Sequence, residues 1–447
     1  MPETLSLLAL EKTYSGLQLK KQPALYIETF FMISKTLCRL TVLLIALTPD
    51  AYALDLGHDV SLKGFGTLGI ANSSTGNADF VANNTQQFTG GVGRTNSLGI
   101  SPDTKVGLQI DWQATSRLSI TSQAVSKQGM ENSWVPELQM AFAKFKLLPD
   151  LDIRAGRLRP AIYMLSDYLD VNYANPWIRP PSELYSSASI TRMEGVDFLY
   201  RPQTGPVSWL IQPYFGTANN IPALNNTSYT LKNMLGGNIS ASLDDFTLRA
   251  GYVHDYLTIN SPLYNTQVAL PLNTLCKRGD KVACAELPAI AADGKDSSYT
   301  SVGASWDNGN YFISGEYGWL TSKSYLPTST QGYITGGARF GKFTPYIMYS
   351  QVGNNSAKSF TGGSPLTNTV ITALYDNFTN DQDTKTLGLR YDILKNIDIK
   401  AQWDRIDTAP AFGLPGTGQG MFVNATPAFK NGANTVDIFS VAVDFVF

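Results

Sequence analysis

The sequence predicts an all-β fold, a transmembrane antiparallel β-barrel of about 16 strands. Three observations carry that expectation. The first is composition: of 447 residues only 16% are charged, against 43% hydrophobic and 11% aromatic, with 38 glycines, 22 tyrosines and 21 phenylalanines. Charge is well below the roughly 25% of an average soluble domain. Yet mean hydropathy is only −0.09, and no run approaches the ~18 apolar residues of a spanning helix. The second is a period-two alternation that recurs in short bursts. The third is an alternation of short turns with long polar connections. The net charge of −2 gives no electrostatic case for a nucleic-acid partner, and the aromatic content argues against disorder.

Met32 opens an export signal. Lys35 and Arg39 supply a positive start, Leu40 to Leu47 a short apolar core, and Ala51-Tyr52-Ala53 a cleavage site. Residues 1–31 read as an upstream extension from an over-called start, 32–53 as the signal peptide and 54–447 as the barrel. Cleavage after Ala53 leaves a net charge of −3 and two cysteines, Cys276 and Cys284, close together in a polar segment. In an oxidising compartment that pair reads as a disulfide. No histidine lies beside it, so a metal pair is the weaker reading, and neither metal nor cofactor is expected.

The strands follow from the alternation. Val106, Leu108, Ile110 and Trp112 alternate with Gln109 and Asp111; Phe246, Leu248, Ala250 and Tyr252 with Thr247 and Arg249; Ile397, Ile399, Ala401 and Trp403 with Asp398, Lys400 and Gln402. Period two means strands with one apolar and one polar face, and no segment after residue 54 shows a sustained helical period. Short turns are expected at Thr115–Ser116, Leu148–Asp150, Gln203–Gly205, Asp244–Asp245, Asp307–Asn310, Gly341–Lys342 and Lys395–Asn396. Between them lie longer segments at approximately 72–104, 126–136, 158–194, 217–232, 257–298, 321–331, 351–385 and 405–435. An even antiparallel barrel with short turns on one side and long loops on the other has this layout.

Alternation alone does not separate inside from outside. A soluble sandwich buries its apolar face, whereas a membrane barrel turns it to lipid. Aromatics on the apolar rows (Trp112, Tyr256, Trp306, Trp319, Trp403) and charges on the polar rows favour the membrane reading. The final stretch, Thr435 to Phe447, is sharper: Phe439, Val441, Val443, Phe445 and Phe447 share one face. This ending resembles that of Gram-negative outer-membrane barrels, whose terminal aromatic is an insertion signal; the resemblance assigns that role to Phe447 and implies the barrel-insertion machinery as a partner.

The 158–194 segment narrows the resemblance. It leaves LDIRAGRLRP (Leu151 to Pro160), runs through Ser166-Asp167-Tyr168-Leu169-Asp170 and Asn175-Pro176-Trp177-Ile178-Arg179-Pro180-Pro181-Ser182-Glu183, and returns at Thr191-Arg192-Met193-Glu194-Gly195. With Gly156-Arg157 and Gln212-Pro213-Tyr214-Phe215-Gly216, it resembles the trimeric sixteen-stranded porins, most closely over about 150–216. The resemblance implies a homotrimer and a long third loop folded into the pore, its acids facing basic residues of the wall. On this reading the basic constriction residues are Arg154, Arg157, Arg159, Arg179 and Arg192, and the acidic ones Asp167, Asp170 and Glu183. A charged ring sets ion preference, and the excess of arginine points to a weak anion preference. The competing reading is that these charges pin the loop or sit at the membrane surface.

Two local conflicts accompany this. Arg157 shares parity with Leu151, Ile153 and Ala155, so a regular strand aims it at lipid, at a cost of ~2–4 kcal/mol near the midplane; a bulge at Gly156 or an early strand end would resolve it. Pro213 and Pro345 each remove a ladder bond, so they are expected near strand ends or bulges. The loop aromatics Tyr163, Tyr168, Tyr173, Trp177 and Tyr185 suit either packing against the wall or a slide for a sugar or aromatic acid.

The leading expectation is a channel in the Gram-negative outer membrane, embedded in its lipid, for passive diffusion of small hydrophilic solutes and ions. Alternatives are a porin preferring carboxylate, phosphate or sugar, and a surface adhesin or receptor acting through its outer loops. An enzyme is not expected: a nucleophile needs a base, His254 beside Asp255 is the only candidate of note, and no G-x-S-x-G surrounds a mature serine.

Overall fold

The computed structural model describes residues 53–82, 91–129, 133–186, 190–223, 226–326, 328–354, 359–377, 381–410 and 421–447. The upstream extension and nearly all of the expected signal peptide lie outside them. Sixteen strands form the wall: β1 Val60–Ser73, β2 Lys105–Gln113, β3 Leu118–Lys127, β4 Glu137–Leu148, β5 Leu151–Leu158, β6 Met193–Tyr200, β7 Val207–Ala223, β8 Thr227–Leu243, β9 Phe246–Asn260, β10 Lys295–Asp307, β11 Tyr311–Ser322, β12 Ser329–Ala338, β13 Phe343–Asn354, β14 Gln382–Leu394, β15 Ile397–Thr408 and β16 Asn434–Val446. Each pairs antiparallel with the next, from Val60↔Trp112 between β1 and β2 to Ile399↔Val443 between β15 and β16. β16 then pairs β1, from Phe65↔Val446 to Ser73↔Ile438, which closes the ring.

Exposure settles which face points outward. Leu248 is 62% exposed, Leu235 63% and Ile347 64%, whereas Asp197, Ser350, Asp398 and Asp444, on the opposite parity of their strands, are 0% exposed. The apolar rows therefore face out and the polar rows in, the inverse of a soluble fold and the pattern that suits hydrocarbon outside. Trp112 and Trp306 lie near the turn ends of their strands and Tyr256 and Trp319 near the loop ends. Trp403 sits mid-strand, and its indole N–H donates to Asp437 at 3.0 Å.

Every expected short turn is present, as the connections 114–117, 149–150, 201–206, 244–245, 308–310, 339–342 and 395–396. The segment 217–232 is not a long loop: β7 and β8 extend through it and pair as far as Ala223↔Thr227. The expectation of no sustained helix is also corrected. Helices α1 Leu270–Lys277, α2 Lys281–Ile290 and α3 Pro365–Asn377 fold in the long connections. Their apolar residues recur at helical spacing (Val268, Leu272, Leu275; Ala283, Leu287, Ile290; Ile371, Leu374) and share one small core with Tyr325. Cys276 and Cys284 are bonded to each other across the α1–α2 turn, and the Asp280 carboxylate at the start of α2 accepts from Val282 and Ala283 N–H and from the Thr367 hydroxyl of α3. A three-stranded sheet (Asp79–Phe80, Val92–Gly93, Phe422–Val423) joins the first and last long connections.

Pro345 is the third residue of β13, as expected near an end. Pro213 lies inside β7 without a bulge: pairing with β6 lapses between Asp197↔Tyr214 and Tyr200↔Ile211, where its missing N–H faces that strand. Gly156 makes no bulge either. Its φ is +133, but Ala141↔Arg157, Phe142↔Gly156 and Ala143↔Ala155 keep one register; a Cβ there would come within 2.4 Å of the Ala141 carbonyl oxygen. At the seam, Gly64 and Phe447 exchange backbone hydrogen bonds of 2.9 Å each way. The Phe447 ring lies where a Cβ on Gly64 would stand, 2.2 Å away.

Candidate functional site

The connection between β5 and β6, residues 159–192, is bonded to inward-facing residues of many wall strands. Its described residues contain only short helical turns (Ser166–Tyr168, Asn172–Ala174, Ser182–Tyr185), because its prolines (Pro160, Pro176, Pro180, Pro181) deny it a continuous helix. Its backbone polar groups must then find partners elsewhere, and the inward rows of the wall provide them. Arg249 of β9 donates to the Ala161 and Ile162 carbonyls. Lys400 of β15 donates to Asn172 at 2.8 Å and to Trp177, Arg390 of β14 caps Tyr173 and Asn175, and the Ile178 N–H donates to Gln402 of β15. The Tyr173 hydroxyl donates to the Lys395 carbonyl at 2.6 Å, so the segment reaches the short turn between β14 and β15.

The charged side chains extend this attachment. Arg179 is 6% exposed; it donates bidentately to Asp103 at 2.8 and 2.7 Å, and also to Asp404 of β15 and Ser440 of β16. Such a fork on a carboxylate is the strong form of this bond. Glu183 is buried and accepts from Ser350 of β13 at 2.7 Å, Gln382 of β14 at 2.6 Å and the Thr384 hydroxyl. Asp170 is gripped by Arg159 at 2.6 Å and by Lys127 of β3 at 3.0 Å. Burial alone would raise the Asp170 carboxyl, but the charges of Lys127, Arg159 and Lys105 hold it well below the usual carboxylate range. Tyr163, Trp177 and Tyr185 are buried against Tyr299, Tyr333 and Tyr346 of the wall, with Tyr163–Tyr185 and Tyr163–Tyr299 ring centroids 5.0 and 5.2 Å apart. These three rings pack against the wall, whereas Tyr173 is half-buried and Tyr168 exposed.

The remaining expected site residues divide. Arg154 faces inward from β5, paired with Asp197 through a 2.9 Å bond and held over the Phe142 ring. Asp167 is exposed. Arg192 pairs with Glu137 at 2.9 Å. Arg157 is not brought to the others: it keeps the outward parity and pairs with Glu194, directly opposite on β6, at 2.7 Å. The structure thus joins Arg179, Asp170 and Glu183 to the wall, pairs Arg159 with Asp170, holds Arg154 on Asp197 and leaves Asp167 exposed. Asp103, Lys127, Gln382, Thr384 and Asp404 were not singled out from sequence. For the four on strands the signal was a polar residue on the inward parity; Asp103, in the turn before β2, carried none.

No protein-family model matches this chain, and no curated protein matches it in sequence. Solved structures do match in fold. The outer membrane channel DcaP of Acinetobacter baumannii aligns with a TM-score of 0.54 at 10% identity, covering 89% of this chain and 99% of that one. OmpF of Salmonella typhi aligns with 0.52 at 14%, covering 89% and 100%. An anion-selective porin from Comamonas acidovorans aligns with 0.50 at 11%, covering 87% and 99%. The fold is that of the outer-membrane porins. In a porin fold the inward polar rows described above line the interior, and residues 159–192 form the third of the long connections.

Proposed function

We propose that the chain is a porin of the Gram-negative outer membrane, exported by a signal peptide cleaved after Ala53 and forming a water-filled channel for passive diffusion of small hydrophilic solutes and ions. The observation that carries this reading is the closed ring with apolar rows outside and polar rows inside. The 159–192 segment is the constriction: its bonds to β3, β9, β11 and β13 to β16 support a position across the lumen. Arg154 and Asp167 border the opening. Arg159, Arg179, Asp170 and Glu183 hold the segment in place, and Arg192 stands at the outer rim. A weak anion preference, insertion through the Phe447 ending and assembly as a homotrimer complete the proposal. Planar-bilayer recording tests it: folded protein is expected to give discrete, long-lived conductance steps with a reversal potential displaced slightly toward that of the anion. Folded protein that never conducts would end the reading.

A further inference from the structure

Between the start of β2, the end of β3 and the constriction segment lies a cavity of about 90 Å³. Three cations, Lys105, Lys127 and Arg179, and two carboxylates, Asp103 and Asp170, are among its lining residues. Both carboxylates are committed, Asp103 to the guanidinium of Arg179 and Asp170 to Arg159 and Lys127. A third acid near Lys105, Asp444, accepts from Thr67 and pairs with Lys400 at 2.7 Å. Lys105 has no hydrogen-bonded or ion-paired partner among the described residues, although Lys127 stands directly opposite it in the β2–β3 ladder. Two ammonium groups facing each other repel, and the surplus positive charge lines a cavity whose Thr104 and Ser186 hydroxyls already donate to the Gly69 and Ala82 carbonyls. An ammonium half-removed from water with no acceptor is costly; an incoming oxyanion would satisfy it.

We propose that this cavity is a capture site for a small oxyanion, a carboxylate or phosphate group, bound between Lys105 and Lys127. Both lysines lie at the long-loop ends of their strands, so the site lies on the outer approach to the constriction rather than at the Arg154–Asp197 pair. It deepens the porin reading by naming the solute class the channel would concentrate, and rests on that reading only for its transport consequence.

The test uses the full folded protein in detergent and in bilayers, with inorganic phosphate and acetate as probes. Calorimetric titration is expected to show saturable binding of at least one probe, weakened about tenfold or more in Lys105→Met, the loss of one charge-assisted hydrogen bond, and retained in Lys105→Arg. In bilayers the same probe should lower chloride conductance saturably in the wild type and not in Lys105→Met. Lys144→Met, which removes an inward lysine elsewhere on the wall, serves as the control expected to bind like wild type. The probe that binds more tightly tells whether the site prefers carboxylate or phosphate. Pores that conduct while neither probe binds, or bind equally to Lys105→Met, would overturn the site and leave the porin reading standing. Lys105-dependent binding by folded protein that never conducts would overturn the porin reading and leave the site.

Discussion

The 159–192 segment and the helices α1, α2 and α3, which two connections contribute to one cap, lie at the same end of the barrel, yet different chemistry holds each in place. The segment lies against the inner wall and is fixed by buried ion pairs, by carbonyls capped with arginine and lysine, and by packing of Tyr163, Trp177 and Tyr185 on wall tyrosines. The cap builds its own apolar core around Leu272, Ala283, Tyr325 and Ile371 and adds one covalent bond. A connection laid on a wall where polar residues stand beside Tyr299, Tyr333 and Tyr346 is placed by buried charge pairs as well as by apolar packing. A connection built away from that wall must bring its own core.

Three experiments break or sharpen this contrast, the largest effect first. Arg179→Ala leaves Asp103 and Asp404 buried without their cation, an effect of about 3–5 kcal/mol for a broken buried pair. The expected outcome is a segment that undocks inside an intact barrel, read as raised single-channel conductance and new protease cleavage between residues 159 and 192. Unchanged conductance and protection would mean that the apolar contacts suffice. Replacing Cys276 and Cys284 together by serine should cost the cap about 2–3 kcal/mol through the short loop they close. Protease protection of α1 and α2 should fall while conductance stays as in wild type; a conductance change would show the cap to be mechanically joined to the pore.

Acid separates the two regions most gently. Hydrogen bonds from Thr367 and Ser364, then from the α2 backbone, lower the Asp280 carboxyl from its usual 3.8 to about 2. Because the folded value is depressed, the tie from α2 to α3 is fully present above the usual value and is lost as pH falls toward about 2. Asp280→Asn should therefore loosen the cap at neutral pH and flatten its response to acid, as followed by cleavage between α2 and α3. A variant with the wild-type acid profile would place the transition elsewhere.

Much of the barrel was legible because period-two rows and turn residues are local signals. Which row faces out was legible only indirectly, from the aromatics on the apolar rows and the charges on the polar ones, since alternation is symmetric; the exposure of residues such as Leu248 and Ile347 bears that reading out. The helices of the cap escaped notice because Leu272, Ala283 and Ile371 are spread over two connections and complete a core only once folded. At the site, residue types in the segment were readable, but their partners were not: Arg179 finds Asp103 and Asp404 at sequence separations of 76 and 225. Arg157 marks the limit of reading by likeness. Its parity, visible in the sequence, located it better than the motif around it.

The seam between β1 and β16 sets the order of events during assembly. Thr67 and Asp444 meet there although 377 residues separate them, and no register between these strands exists until both ends of the ring are in hand. The other wall strands pair with a neighbour in the chain and can form progressively, whereas closure must overcome the entropy of the longest loop in the molecule at once. Until then the inner edges of β1 and β16 stay unpaired, an unstable condition in hydrocarbon. Closure is therefore the expected rate-limiting step, and weakening the Gly64–Phe447 contact should slow insertion far more than it destabilises the finished ring.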